Sequence, residues 1–176
     1  MKIYHLVLFI AVLYFGIACS PQKTEQQSGL NNLQEDIPVH DFKSLEPLLY
    51  TKSEKTYVVN FWAIWCAPCV KELPIFQAFQ KNNPDVEVML ISMDFPEDIE
   101  PKLKPFLKKH NINTKVVLLD DPDSNSWIDK VDPNWSGAIP FTIIFNNKNR
   151  SFHERDFKSL QDLEDVIYQT INNVKS

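Results

Sequence analysis

Two cysteines separated by two residues, Cys66 and Cys69, are the side chains of this sequence best suited to chemistry. An apolar, strand-like segment ends at about Trp62, and a helical pattern begins at about Ala67. Cys66 is therefore expected at a helix N-terminus, where free backbone N–H groups and the helix dipole stabilise a thiolate. Such a thiolate attacks disulfides through a mixed-disulfide intermediate. Cys69, one turn further along, is expected to be better shielded and to resolve that intermediate.

Other roles of this cysteine pair fit the sequence less well. A structural disulfide that closes so short a loop constrains little of the unfolded chain. A zinc site needs four ligands, but there is no second cysteine pair, and the candidate histidines are scattered: His40, His110 and His153. Covalent haem attachment needs a histidine after the second cysteine, where Val70 stands. We therefore expect no metal, and no cofactor other than the redox-active Cys66–Cys69 pair.

Strand and helix patterns alternate along the chain around this pair. Strands are predicted over residues 56–62, 86–92, 115–119, 141–145 and 151–157. Helices are predicted over residues 41–50, 67–82, 98–110, 124–131 and 160–171. An Asn-rich turn joins the last two strands into a hairpin. This order predicts a three-layer α/β/α sandwich whose mixed central sheet is parallel on one side and antiparallel on the other.

The sequence NFWAIWCAPC over residues 60–69 resembles the active-site segment of the thioredoxin superfamily. The following VKELP, residues 70–74, resembles its membrane-tethered branch, the TlpA/ResA-like thiol–disulfide oxidoreductases. The resemblance implies a thioredoxin-like domain over residues 37–176. It also implies a protein-disulfide reductase that receives electrons from a thiol–disulfide partner in the membrane and acts on oxidised exported client proteins.

A cis-proline opposite the cysteine pair is the second feature that the resemblance implies. The candidate is the Ile139–Pro140 bond, which precedes the predicted hairpin; the alternative is an ordinary trans proline that opens a strand. A cis bond would place the Ile139 backbone beside Cys66, ready to pair with a client strand. The expected client-binding residues are Trp65, Ala67, Pro68, Ile139 and Pro140.

Glu72 follows Cys69 by three residues and is expected on the same helix face. In a generic helix such a glutamate is a surface residue. In the ResA-like branch the matching glutamate is partly buried near the cysteines and handles protons, a task that thioredoxin gives to an aspartate in the preceding strand. Asn60 occupies that strand position here and cannot titrate. The resemblance therefore implies an acid–base role for Glu72, with a pKa raised by desolvation.

Four tryptophans are expected in or near the predicted site. Trp65 is expected at its exposed rim, and Trp62 in the core. Trp127 and Trp135 lie in a long acidic stretch before the proline, where they either pack the loop or form a wall that contacts clients.

The N-terminus predicts export. Residues 1–18 carry Lys2 and then an apolar run of signal-peptide length, too short for a comfortable membrane span. The run ends at Cys19 in a sequence that resembles a bacterial lipoprotein cleavage box, so Cys19 is the predicted lipidation site. An ordinary secretory signal and an uncleaved anchor are the alternatives. Residues 19–36 are polar and predicted to form a flexible tether.

Composition excludes one class of partner. The net charge of −5 argues against nucleic-acid binding, which needs clustered Lys and Arg. We predict a membrane-anchored lipoprotein on the extracytoplasmic side of the cell envelope. The alternatives are a disulfide oxidase or isomerase, and a non-catalytic binding lipoprotein or copper carrier with the same fold.

Overall fold

The computed structural model describes residues 36–172, which form one mixed six-stranded sheet with helices on both faces. The predicted signal peptide, Cys19 and nearly all of the predicted tether lie outside the described residues. The strands are β1 Val39–His40, β2 Tyr57–Trp62, β3 Glu87–Ser92, β4 Lys115–Leu119, β5 Phe141–Phe145 and β6 Arg150–His153. The helices are α1 Phe42–Leu49, α2 Ala67–Asn82, α3 Lys104–Lys109, α4 Ile128–Val131 and α5 Leu160–Ile171.

The strand order is β1-β4-β3-β2-β5-β6. The first four strands in this order pair in parallel, whereas β5 is antiparallel to β2 and β6 to β5. The predicted α/β/α sandwich with a mixed central sheet is therefore confirmed. Since β2 lies in the centre, its carboxyl end is flanked by the end of β3 on one side and the beginning of β5 on the other. This is the place at which α2 begins.

The sheet separates two hydrophobic clusters, because successive strand side chains point to opposite faces. Val58 and Leu90 pack on the face that is covered by α2, α3 and α5. Val59 and Ile91 pack on the face that is covered by α1, α4 and the loop after β4. β2 and β3 have buried side chains on both faces, as expected of central strands.

Local signals set several boundaries as predicted. Asp41 caps α1, and its Oδ1 accepts a hydrogen bond from the Ser44 N–H at 2.8 Å. In the turn between β5 and β6, Asn146 Oδ1 accepts from the N–H groups of Lys148 and Asn149, each at 2.8 Å. The two-residue β1 was not predicted, since so short a strand has no recognisable period.

The helix predicted over residues 98–110 is present but does not begin as a regular α-helix. A 3₁₀ turn at Pro96–Asp98 and a π turn at Ile99–Leu103 precede α3. Pro101 and Pro105 lack the N–H groups that a continuous α-helix needs, which explains the irregular start. The last predicted strand is also shorter than expected, because β6 ends at His153 and the chain then turns inward at the buried Phe157.

Candidate active site

The two cysteines lie where β2 passes into α2. A turn over residues 63–66 follows β2, closed by a 3.1 Å hydrogen bond from the Cys66 N–H to the Ala63 carbonyl. Cys66 is the N-cap of α2, and its sulfur accepts a hydrogen bond from the Cys69 N–H at 3.3 Å. The sulfurs of Cys66 and Cys69 are joined as a disulfide. In the reduced state the same N–H and the helix dipole favour a thiolate at Cys66.

The two cysteines differ in their access to solvent. Cys66 is 6% exposed and Cys69 is fully buried, at 0%. Trp65, Ala67 and Pro68 surround Cys66 and are exposed. An incoming disulfide can therefore approach Cys66 across these side chains but cannot reach Cys69.

The loop before β5 lies opposite Cys66. The Ile139–Pro140 peptide bond is cis, as predicted, and the carbonyl oxygen of Ile139 lies 3.7 Å from the Cys66 sulfur. Pro140 is buried and Ile139 half-buried. Gly137 begins this loop with a φ of +86°, a left-handed conformation that favours glycine.

Trp127 and Trp135 are buried tryptophans that precede this loop in the chain. Trp135 stacks on Phe141 with ring centroids 4.2 Å apart, and its Nε1 donates to the Ala138 carbonyl at 2.7 Å. The two indoles are 2% and 4% exposed, for Trp127 and Trp135 respectively, which leaves almost no surface for a bound protein. Packing of the loop is therefore the interpretation that the structure favours. Trp62 is buried, whereas Trp65 is 64% exposed, as the sequence predicts.

Glu72 is buried on the inner face of α2, 1% exposed. Its Oε1 accepts from Asn60 Nδ2 at 2.9 Å, and its Oε2 accepts from the Phe157 N–H at 2.8 Å. Burial raises the pKa of Glu72 to about 7, although both hydrogen bonds favour the carboxylate. Among nearby charges, Asp156 raises the pKa and Arg155 lowers it, each by less than burial does. A carboxyl group with this pKa can exchange a proton at neutral pH.

Asn60 connects Glu72 to the sheet. Its Nδ2 also donates to Thr142 Oγ1 at 3.0 Å, so the amide joins β2, α2 and β5. The Asn60 Oδ1 has no hydrogen-bond partner among the described residues. Thr142 and Phe157 were not predicted, because the first becomes a partner through strand register and the second through the inward turn after β6.

A second buried carboxylate, Asp94, was missed. It lies two residues after β3, is 3% exposed, and both of its oxygens lie 3.2 Å from the Ile64 nitrogen. Desolvation raises the pKa of Asp94, opposed by hydrogen bonds from Ser92 and Ile64. Its position after a buried strand, at the sheet end that carries the cysteines, was the available signal.

The described residues contain neither a metal-ligand cluster nor a membrane-spanning helix. Residues 36–172 contain no group of three or more His, Cys, Asp or Glu side chains that could hold a metal ion. His153 is instead hydrogen-bonded to Ser151 Oγ at 2.8 Å, and burial lowers its pKa to about 4. Over the same residues, no helix has the length and apolar character needed to cross a bilayer.

The sheet order, the helix that begins at the cysteine pair and the facing cis-proline together define a thioredoxin-fold domain with a Cys-x-x-Cys site. Residues 37–151 match the AhpC/TSA family, and the chain belongs to this family. Among solved structures, a thioredoxin-related protein from Neisseria meningitidis serogroup B has the same fold, with a TM-score of 0.57 at 24% identity over 70% of this chain and 90% of that one.

Two curated relatives confirm the predicted resemblance to the ResA-like branch. Sporulation thiol-disulfide oxidoreductase A of Bacillus subtilis is 35% identical over 69 residues, which are 38% of this chain and 41% of the relative. Thiol-disulfide oxidoreductase ResA of Bacillus thuringiensis is 28% identical over 152 residues, 86% of this chain and 77% of the relative. The match to the first of these spans less than half of the relative's length.

Proposed function

We propose that this protein is an extracytoplasmic thiol–disulfide oxidoreductase that reduces disulfides in exported client proteins. The observation that carries the proposal is the Cys66–Cys69 pair at the N-terminus of α2, with the Ile139 carbonyl 3.7 Å from the Cys66 sulfur. Both relatives are named thiol-disulfide oxidoreductases, which supports the same chemistry.

The reaction begins with both cysteines reduced. The Cys66 thiolate attacks one sulfur of a client disulfide, the client S–S bond breaks, and the other client sulfur leaves as a thiolate. A mixed disulfide now links Cys66 to the client. The Cys69 thiolate then attacks the Cys66 sulfur, releases the second client thiolate and forms the Cys66–Cys69 disulfide. Two electrons pass to the client, and each of its sulfurs takes a proton.

Cys69 must lose its proton before the second step, and Glu72 is the group proposed to accept it. Glu72 lies one turn along α2 from Cys69, and both side chains are buried. A pKa of about 7 suits a general base that works near neutral pH. Asn60 and the Phe157 N–H hold the carboxylate in place and stabilise its negative charge until it accepts the proton.

The client is proposed to bind across the exposed side chains of Trp65, Ala67 and Pro68. Its backbone would pair with Ile139, whose half-buried backbone lies beside the reactive sulfur, and Pro140 would fix the shape of this edge. A main-chain pairing of this kind suits clients of different sequence, because it recognises the peptide backbone rather than particular side chains.

The location is proposed from the N-terminal sequence. Residues 1–18 would be removed as a lipoprotein signal peptide, Cys19 would carry the lipid, and residues 19–36 would act as the tether of a domain over residues 37–176. Electrons would come from a membrane partner with its own thiol pair. Replacing Cys19 with Ser should prevent lipid attachment while reduction of clients continues.

An insulin-reduction assay tests the activity. The wild-type protein, supplied with a thiol reductant, should reduce insulin disulfides, and Cys66→Ser should abolish this activity. Tyr168→Ala is a suitable control, since Tyr168 is exposed on α5, away from the site. If the wild-type protein left insulin oxidised but formed disulfides in a reduced substrate, an oxidase would replace the reductase proposed here. No exchange in either direction would leave a binding protein.

A further inference from the structure

The turn that follows β3 is joined to the redox turn by hydrogen bonds at two successive points. The Met93 N–H donates to the Trp62 carbonyl at 2.8 Å, and the Ile64 N–H lies 3.2 Å from both carboxylate oxygens of Asp94. Ser92 Oγ fixes that carboxylate in turn, because it donates to Oδ2 at 2.8 Å. The two turns are therefore held as one unit at the carboxyl ends of β2 and β3.

Each of these joined turns next presents an exposed aromatic ring. Trp65, which follows Ile64, is 64% exposed, and Phe95, which follows Asp94, is 60% exposed. A single exposed apolar side chain is ordinary, but two on turns that are hydrogen-bonded to each other, one of which carries Cys66, offer apolar area to another apolar group. The proposed reaction does not use Phe95.

The sheet order defines on which side of Cys66 this surface lies. β2 is paired with β3 on one edge and with β5 on the other. The turn after β3 and the Ile139–Pro140 loop before β5 consequently stand on opposite sides of the Cys66 sulfur. A client segment that pairs with Ile139 and forms a disulfide with Cys66 therefore has the turn that carries Phe95 on the other side of the sulfur.

We propose that Trp65 and Phe95 together bind an apolar side chain of the client next to its disulfide, and that Asp94 is the positioning residue that holds Phe95 there. The occupant is an extended polypeptide that carries an aliphatic or aromatic residue adjacent to the disulfide-bonded cysteine. This inference rests on the proposed function and gives it a substrate preference. Apolar residues beside cystines are buried in folded proteins, so the surface selects unfolded or partly folded clients.

The test compares reduced wild-type protein and Phe95→Ala on three disulfides: a peptide with Leu beside its cystine, the same peptide with Ser there, and oxidised glutathione. Phe95→Ala should slow reduction of the Leu peptide about tenfold, a loss in keeping with one aromatic contact. The rate with oxidised glutathione should not change, because glutathione has no apolar side chain to bind. Tyr168→Ala, which removes an equally exposed ring on α5, should leave all three rates unchanged.

Two variants of Asp94 test the positioning role. Asp94→Ala should lower the ratio of the Leu-peptide rate to the Ser-peptide rate about as far as Phe95→Ala does. Asp94→Asn should restore this ratio, since its amide oxygen can still accept from the Ile64 N–H. A general loss of stability would lower both rates and leave their ratio unchanged.

The outcomes separate this inference from the function on which it rests. A Phe95→Ala variant with the wild-type ratio of Leu-peptide to Ser-peptide rates overturns the inference while the oxidoreductase function stands. A wild-type ratio in Asp94→Ala overturns the positioning role. A wild-type protein that reduces none of the three disulfides overturns the proposed function and this inference with it.

Discussion

Two buried carboxylates flank the redox turn, and their partners differ. Glu72 lies on α2, one turn after Cys69, and is held by the Asn60 side chain and by the N–H of Phe157, which lies between β6 and α5. Asp94 lies at the end of β3 and is held by neighbours in its own turn and in the redox turn. Burial raises the pKa of both groups.

Because of this difference, the two acids are suited to different roles. Glu72 shares a helix face with the buried cysteine, and its pKa of about 7 lets it take up and release a proton at neutral pH. Asp94 accepts the Ile64 N–H inside the turn that delivers Cys66, so its contribution is to the shape of that turn. One acid is suited to proton transfer and the other to positioning.

The largest expected effect is on the pH dependence of stability, through Glu72. Its folded-state pKa, about 7, lies above its usual 4.5, so the folded protein retains a proton that the unfolded chain releases. Stability is therefore lost as pH rises from 4.5 to 7, by about 3 kcal/mol in total. Relative to Glu72→Gln, the wild-type free energy of unfolding should fall by this amount across the interval, measured by denaturant titration of the oxidised proteins.

Comparison with the Gln variant is necessary because His153 acts in the opposite direction. The folded-state pKa of His153 is lowered from 6.5 to about 4, so the unfolded chain takes up a proton on this group before the folded protein does. The contribution of His153 to stability is therefore lost as pH falls from 6.5 to 4. His153 is present in both proteins, so its contribution cancels in the difference. Parallel pH curves for the wild type and Glu72→Gln would show that Glu72 titrates normally, and the proton-transfer role would be lost.

A smaller effect is expected at Asp94. Asp94→Ala leaves the Ile64 N–H and the Ser92 hydroxyl without their buried acceptor, which should cost about 2 kcal/mol of unfolding free energy. Asp94→Asn keeps one oxygen as acceptor and should cost less. Chemical denaturation at pH 7 measures both, and equal losses in the two variants would mean that the charge, rather than the hydrogen bond, holds the turn.

The smallest effect is expected from Thr142, the last member of the Glu72 network. Thr142→Val removes the acceptor of one Asn60 N–H at 3.0 Å and nearly preserves side-chain volume, so it should cost about 1 kcal/mol. Thr142→Ser keeps the hydroxyl and serves as the matched control. A Val variant as stable as the Ser variant would show that Asn60 needs no partner in β5.

The sequence was sufficient for the parts of the site that depend on short segments. The cysteine pair and its helix were expected from residues near one another in the chain, and the cis Ile139–Pro140 bond and the burial of Glu72 from the resemblance to the ResA-like branch. The partners Thr142, Phe157 and Asp94 were not, because each reaches the site through strand register or through a turn that carries no periodic pattern. The irregular start of α3 was missed for a different reason: the apolar period continues across prolines that break the hydrogen bonds.

The roles of the two cysteines are tested most directly by trapping the mixed disulfide. In Cys69→Ser the second step cannot occur, so incubation of the reduced variant with an oxidised client should accumulate a covalent adduct through Cys66. Non-reducing electrophoresis and mass spectrometry of the linked peptides should find Cys66 in that adduct, and Cys66→Ser should form none. Adducts linked through Cys69 in the Cys66→Ser protein, at the yield expected for Cys66, would contradict the account.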